Sequence, residues 1–119
     1  MNNLRALQKL MRVADELQRI HPSMTVACAD VFLTIAYLGE PSSVEIAAAV
    51  NTSRSTAYRY IQELGVVRGW KVVKGIREPI PGHGLIEQHT DPLDRRTVRL
   101  RLTPKGRDLM NLLVRIINS

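Results

Sequence analysis

Only one cysteine, Cys28, occurs in 119 residues, so no disulfide can form within the chain. A reducing compartment, by default the cytoplasm, is the expectation. Aromatic residues make up 4% of the sequence, which leaves an aliphatic core. No apolar run approaches the roughly 18 residues of a membrane span, and the start, MNNLRALQKL, lacks the long uncharged stretch of a secretory signal. No membrane association is expected. A P-loop, a nucleophile beside its base and a paired-cysteine zinc pattern are all missing, so the expectation is no enzyme, no cofactor and no metal. Glu87, His89, Asp91 and Asp94 lie close together, but a turn accounts for them and nothing else at ligand spacing supports a metal. GHGLIE is a broken dinucleotide fingerprint, without its third glycine or a preceding strand.

Acidic side chains are scarce in one part of the chain. Residues 1–50 hold four basic and five acidic groups, whereas residues 51–119 hold thirteen basic and six acidic ones. All of the net charge of +6 therefore sits in the second part. A basic face at one end of a small domain is the electrostatic footprint of nucleic-acid binding.

Periodicity predicts a helix over 2–20, with Leu7, Leu10, Ala14 and Leu17 on one stripe and His21-Pro22 ending it. A second helix is predicted over about 24–38, with Val31, Phe32, Ile35 and Leu38 as its apolar face and Gly39 just past its end. Ser42, or equally Ser43, caps a short third helix, with Glu45 completing a capping box. Ser53 caps a fourth over 53–64. The runs GLIEQHT and TVRLRLT alternate as half-buried strands. Thr103 caps a final helix with Pro104 in its first turn.

Residues 43–64 have the spacing of a helix-turn-helix. Ala47 is small where the two helices cross, Asn51 suits a left-handed turn, and Ala57 faces inward with Ile46, Val50 and Tyr60. The outer face then presents Arg54, Ser55, Tyr58, Arg59 and Gln62, side chains able to reach base edges and phosphates from a helix in the major groove. The following ribbon is a wing. Asp91-Pro92 favours its turn, and Asp94 is expected to pair with Arg95 or Arg96, fixing one and aiming the other at a minor groove. Arg99 and Arg101 on the return strand are candidate phosphate contacts.

The segments SSVEIAAAVNTSRSTAYRYIQEL and GLIEQHTDPLDRRTVRLRLTPKG resemble the winged helix-turn-helix core of the MarR family of bacterial transcription regulators. The Asp-Pro-x-Asp-Arg-Arg wing followed by Leu102-Thr103-x-x-Gly106 is the most specific mark. The resemblance implies a mainly α fold with a small antiparallel β-wing. It also implies a homodimer on a pseudo-palindromic operator in double-stranded DNA, usually repressing and often released by a small-molecule effector or an oxidant. By position, Ser53, Arg54, Ser55, Thr56, Tyr58 and Arg59 fall on the recognition helix, and Asp94, Arg95 and Arg96 on the wing.

The chain departs from the family pattern in the nineteen residues between Leu64 and Gly84, where the family has a short connection, and in a shorter last helix. The insert is expected to add strands that enlarge the wing sheet, with Trp70 in the core and Arg68, Lys71 and Lys74 as candidate further contacts. The last helix, 104–117, is apolar nearly all round, and with the first helix it is expected to build a dimer interface. The expected organisation is one domain over 1–119: dimerisation helices 2–20 and 104–117, helix-turn-helix 43–64, insert 65–83 and wing 84–103. Two other readings stay open, a DNA-binding accessory protein for replication, packaging or recombination, and a protein-interaction module that has lost DNA binding.

Overall fold

Local signals set most helix boundaries in the computed structural model, which describes residues 3–119. Met1 and Asn2, with which the domain and its first helix are expected to begin, lie outside the described residues. Helix α1 spans Asn3–Ile20 and stops before His21-Pro22. Helix α2, Val26–Leu38, is capped by Thr25, whose hydroxyl accepts the Cys28 N–H. Helix α3, Ser43–Ala49, starts from a full capping box, in which Ser42 rather than Ser43 is the cap. Helix α4, Arg54–Leu64, is capped by Ser53.

Strands β1 (Val67–Val73) and β2 (Ile76–Pro81) form one hairpin, and β3 (Ile86–Thr90) and β4 (Val98–Leu102) a second. Helix α5, Pro104–Asn118, closes the fold. Its cap Thr103 is buried yet fully used: the hydroxyl accepts the Gly106 N–H and donates to the Gly84 carbonyl.

Val31, Phe32 and Ile35 of α2 lie at the centre of the core, against Ile46 of α3, Ala57, Ile61 and Leu64 of α4, and Leu100 of β4. Leu109 and Leu113 of α5 close it from the other side. The alternation read in the second strand holds where the ribbon meets the body: Leu100 and Leu102 are buried, whereas Val98 near the tip is exposed.

Four expectations are corrected. The insert does form strands, but they make a separate hairpin rather than widening the wing sheet. The hairpin turns at Lys74-Gly75, both with positive φ, the type I′ geometry that matches strand twist. Trp70 is not in the core; it is 52% exposed, with the Arg77 guanidinium 4.4 Å from its ring centre. Asn51 is not left-handed, because α3 instead leaves through extended backbone at Val50. In α1 only Leu17 of the expected stripe is buried, and Leu7 and Leu10 are more than half exposed. Among the described residues, no helix is long and apolar enough to cross a membrane.

Candidate nucleic-acid interface

The candidate interface comprises α3, α4 and the β3–β4 ribbon. Ala57 is fully buried and Ala47 partly so, which allows α3 and α4 to approach closely over Ile46, Val50 and Tyr60. This packing turns the other side of α4 outward. Arg54, Ser55, Arg59 and Gln62 are exposed, and Tyr58 is half-buried against the core. Ser53 and Thr56 are occupied in starting the helix: the Ser53 hydroxyl accepts the Thr56 N–H at 3.2 Å and donates to the Thr56 hydroxyl at 2.7 Å. Arg59 lies 3.9 Å from Glu63 and over the Tyr60 ring.

The ribbon pairs in register from Ile86↔Leu102 to Thr90↔Val98, and residues 91–97 form its tip. Both aspartates fold that tip. Asp91 accepts the Leu93 N–H at 2.8 Å, and Asp94 accepts the Arg96 N–H at 3.1 Å and the Thr97 hydroxyl at 3.0 Å. These hydrogen bonds occupy Asp94, and it forms no ion pair with Arg95 or Arg96, contrary to expectation. Both arginine side chains are exposed, and among the described residues neither has an ion-pair partner.

Arg99 and Arg101, read from sequence as phosphate contacts, are both engaged within the chain. Arg99 donates to Asp91 at 3.2 Å and to Glu45 at 2.9 Å. Arg101 donates to Glu87, directly across the ribbon, at 3.1 Å. The Arg99 guanidinium is consequently more basic than usual, chiefly through its hydrogen bond to Asp91. A backbone bond from Leu100 N–H to the Pro41 carbonyl runs beside this clasp and ties the ribbon to the start of α3.

Strand β1 lies beside α4, and Gln62, Trp70, Ile86 and Gln88 line the groove of about 390 Å³ between them. Arg68, Lys71 and Lys74 are exposed on the hairpin, with Lys71 opposite Glu78.

Sequence reasoning missed Glu45 as the partner of Arg99, since no local signal links a helix cap to a strand 54 residues away. It also missed a cluster behind α4. There His21 stacks on His83 with ring centres 4.2 Å apart, and His21 Nε2 lies 3.8 Å from Glu63. Burial and the nearby Glu63 carboxylate push the Cys28 thiol up to about 11, while Arg59 opposes them.

No protein-family model and no curated sequence matches the chain. Solved structures do. The chain is similar to BpsR of Bordetella bronchiseptica, a protein whose DNA binding is regulated by 6-hydroxynicotinic acid, at 24% identity over 93% of this chain and 69% of that one, with a TM-score of 0.58. It is similar to a MarR-like transcriptional regulator from Thermotoga maritima at 22% identity over 100% of this chain and 77% of that one, TM-score 0.63. A mutant MarR from E. coli complexed with operator DNA matches at 17% identity over 92% and 69%, TM-score 0.59. At these identities the likeness is one of fold, and that fold is the MarR-like winged helix, five helices with two small antiparallel hairpins.

Proposed function

We propose that the chain is a sequence-specific regulator of transcription that binds double-stranded DNA as a homodimer and acts as a repressor. One observation carries the reading: the capped helix α4 presents Arg54, Ser55, Arg59 and Gln62 outward on the same chain whose folded wing tip presents Arg95 and Arg96, neither with an ion-pair partner among the described residues. Such a helix suits the major groove, and an arginine-tipped ribbon suits the narrow minor groove beside it. The complex of MarR with operator DNA supports the reading by likeness of fold.

The dimer rests on α1 and α5. Leu4, Leu7, Leu10 and Met11 are exposed on α1, as are Val114 and Ile117 on α5, a concentration of apolar surface that a monomer rarely leaves in water. A second copy meeting these helices would present two α4 helices to half-sites about 34 Å apart. Regulation of BpsR by a small molecule makes an effector part of the proposal here too.

Selection of bound duplexes from a random pool tests the reading. The expected result is a palindromic sequence with half-sites about 10 base pairs apart, centre to centre. No enrichment, or duplex binding that does not weaken with added salt, overturns it, since phosphate contacts release counterions.

A further inference from the structure

The cluster behind α4 joins three elements at one point. His21 comes from the α1–α2 turn, Cys28 from the first turn of α2, and Glu63 from the last turn of α4. One ligand atom from each, an imidazole nitrogen, the thiol sulfur and a carboxylate oxygen, lie within 4.8 Å of one another. The His21 and Glu63 atoms are already 3.8 Å apart. Tetrahedral zinc, with bonds of about 2.0–2.3 Å, sets its ligands roughly 3.5 Å from each other. Small side-chain movements therefore suffice to close the set.

We propose that His21, Cys28 and Glu63 bind one thiophilic divalent cation of the zinc class in tetrahedral geometry, leaving a fourth position for water. Sulfur, nitrogen and oxygen together select zinc or cobalt over magnesium and calcium, which want oxygen alone. The charge balances, because a dication meets one thiolate, one carboxylate and a neutral imidazole. On binding, the Cys28 S–H bond gives way to a metal–sulfur bond and the proton leaves to solvent.

The surroundings already orient the ligands. Arg59 lies 3.9 Å from the other Glu63 oxygen, which leaves Oε2 toward His21. The Thr25 hydroxyl fixes the Cys28 backbone, and the His83 N–H donates to the Glu63 carbonyl at 2.9 Å. A charged partner on a ligating side chain, as Arg59 is to Glu63, tunes affinity, whereas the two backbone bonds hold the main chain at Cys28 and Glu63.

The test is titration of the reduced, metal-free chain with Co²⁺ and then Zn²⁺. One equivalent of Co²⁺ per chain should give the intense visible bands of tetrahedral cobalt and a near-ultraviolet thiolate-to-cobalt charge-transfer band, both erased by Zn²⁺. Cys28→Ser should remove the charge-transfer band. Glu63→Gln should weaken binding by roughly tenfold or more while circular dichroism shows the helices intact. A weak octahedral spectrum with no charge-transfer band overturns the proposal. So does an affinity for Co²⁺ unchanged in Glu63→Gln.

Discussion

Arg99 on β4 and Glu45 on α3 are 54 residues apart in sequence and 2.9 Å apart in the fold. The same Glu45 oxygen also accepts the Ser42 N–H, so one carboxylate both starts α3 and receives the ribbon. Asp91 grips the same guanidinium from the tip side. The wing is thereby set at a fixed angle to the helix-turn-helix, with Arg99 held between the two carboxylates.

Salt dependence separates bracing from contact. Arg95→Ala and Arg96→Ala should each weaken duplex binding and lower the salt slope by about 1 if the residue meets a phosphate. Arg99→Ala should weaken binding severalfold with the slope unchanged and faster amide exchange at residues 91–97. A reduced slope in Arg99→Ala would return that residue to the interface.

Acid should undo the clasp. The Glu45 carboxyl is held below its ordinary 4.5, first by hydrogen bonds within the Ser42 capping box and then by Arg99. Asp91 is held below 3.8, first by the Leu93 N–H and then by Arg99. Glu40 and His89 also face this region, their side chains 3.6 Å apart. Because both folded values are depressed, the stabilisation is complete above the unfolded values and is lost as pH falls through the folded ones. The gap in melting temperature between wild type and Arg99→Ala should hold from about pH 7 to 5 and shrink progressively as pH falls below the ordinary carboxylate values of 4.5 and 3.8.

Arg54 opens the exposed face of α4. Arg54→Ala should cost about 1–3 kcal/mol at one operator position, the worth of a bidentate base contact, and relax discrimination there. Competition among single-base operator variants reads this directly, and an unchanged ranking would remove Arg54 from base readout.

Leu7 and Leu10 are exposed in the single chain. The double variant Leu7→Asp, Leu10→Asp should sediment as a monomer with unchanged helix content, while the wild type sediments as a dimer at micromolar concentration. A monomeric wild type would remove the dimer.

Gly106 sits where α5 begins, and a Cβ there would collide with the Leu85 carbonyl and press on Leu102. Gly106→Ala should destabilise the fold by about 1–3 kcal/mol, as overpacking does. Thermal or denaturant unfolding measures it.

Much of the fold was legible because its signals are local. Thr103-Pro104, Ser53 and the Ser42–Glu45 box are short patterns whose physics is complete within one turn. The ribbon read correctly because Leu100 and Leu102 alternate with charged neighbours against a core. Partner choice was not legible. Asp94 is nearer in sequence to Arg95 and Arg96, yet backbone and hydroxyl donors of the turn occupy it, and Arg99 finds carboxylates by register and packing. Trp70 was misplaced because a hairpin outside the main core leaves both faces in water. The residues 21, 28 and 63 share no spacing at all; only the fold makes them neighbours.

The inserted hairpin is sealed at its own root. Gly82 N–H bonds to the Val66 carbonyl and Gly84 N–H to the Gly65 carbonyl, and Gly82 backs onto Gly65 too closely for any side chain. Leu64 and Leu85 are joined by a hydrogen bond of 2.8 Å, as though the chain between them were a detour. Its length should therefore be free to vary: loops grown or trimmed at Lys74-Gly75 are expected to leave the rest of the molecule in shape, which makes that turn an attachment point for a label or a grafted segment.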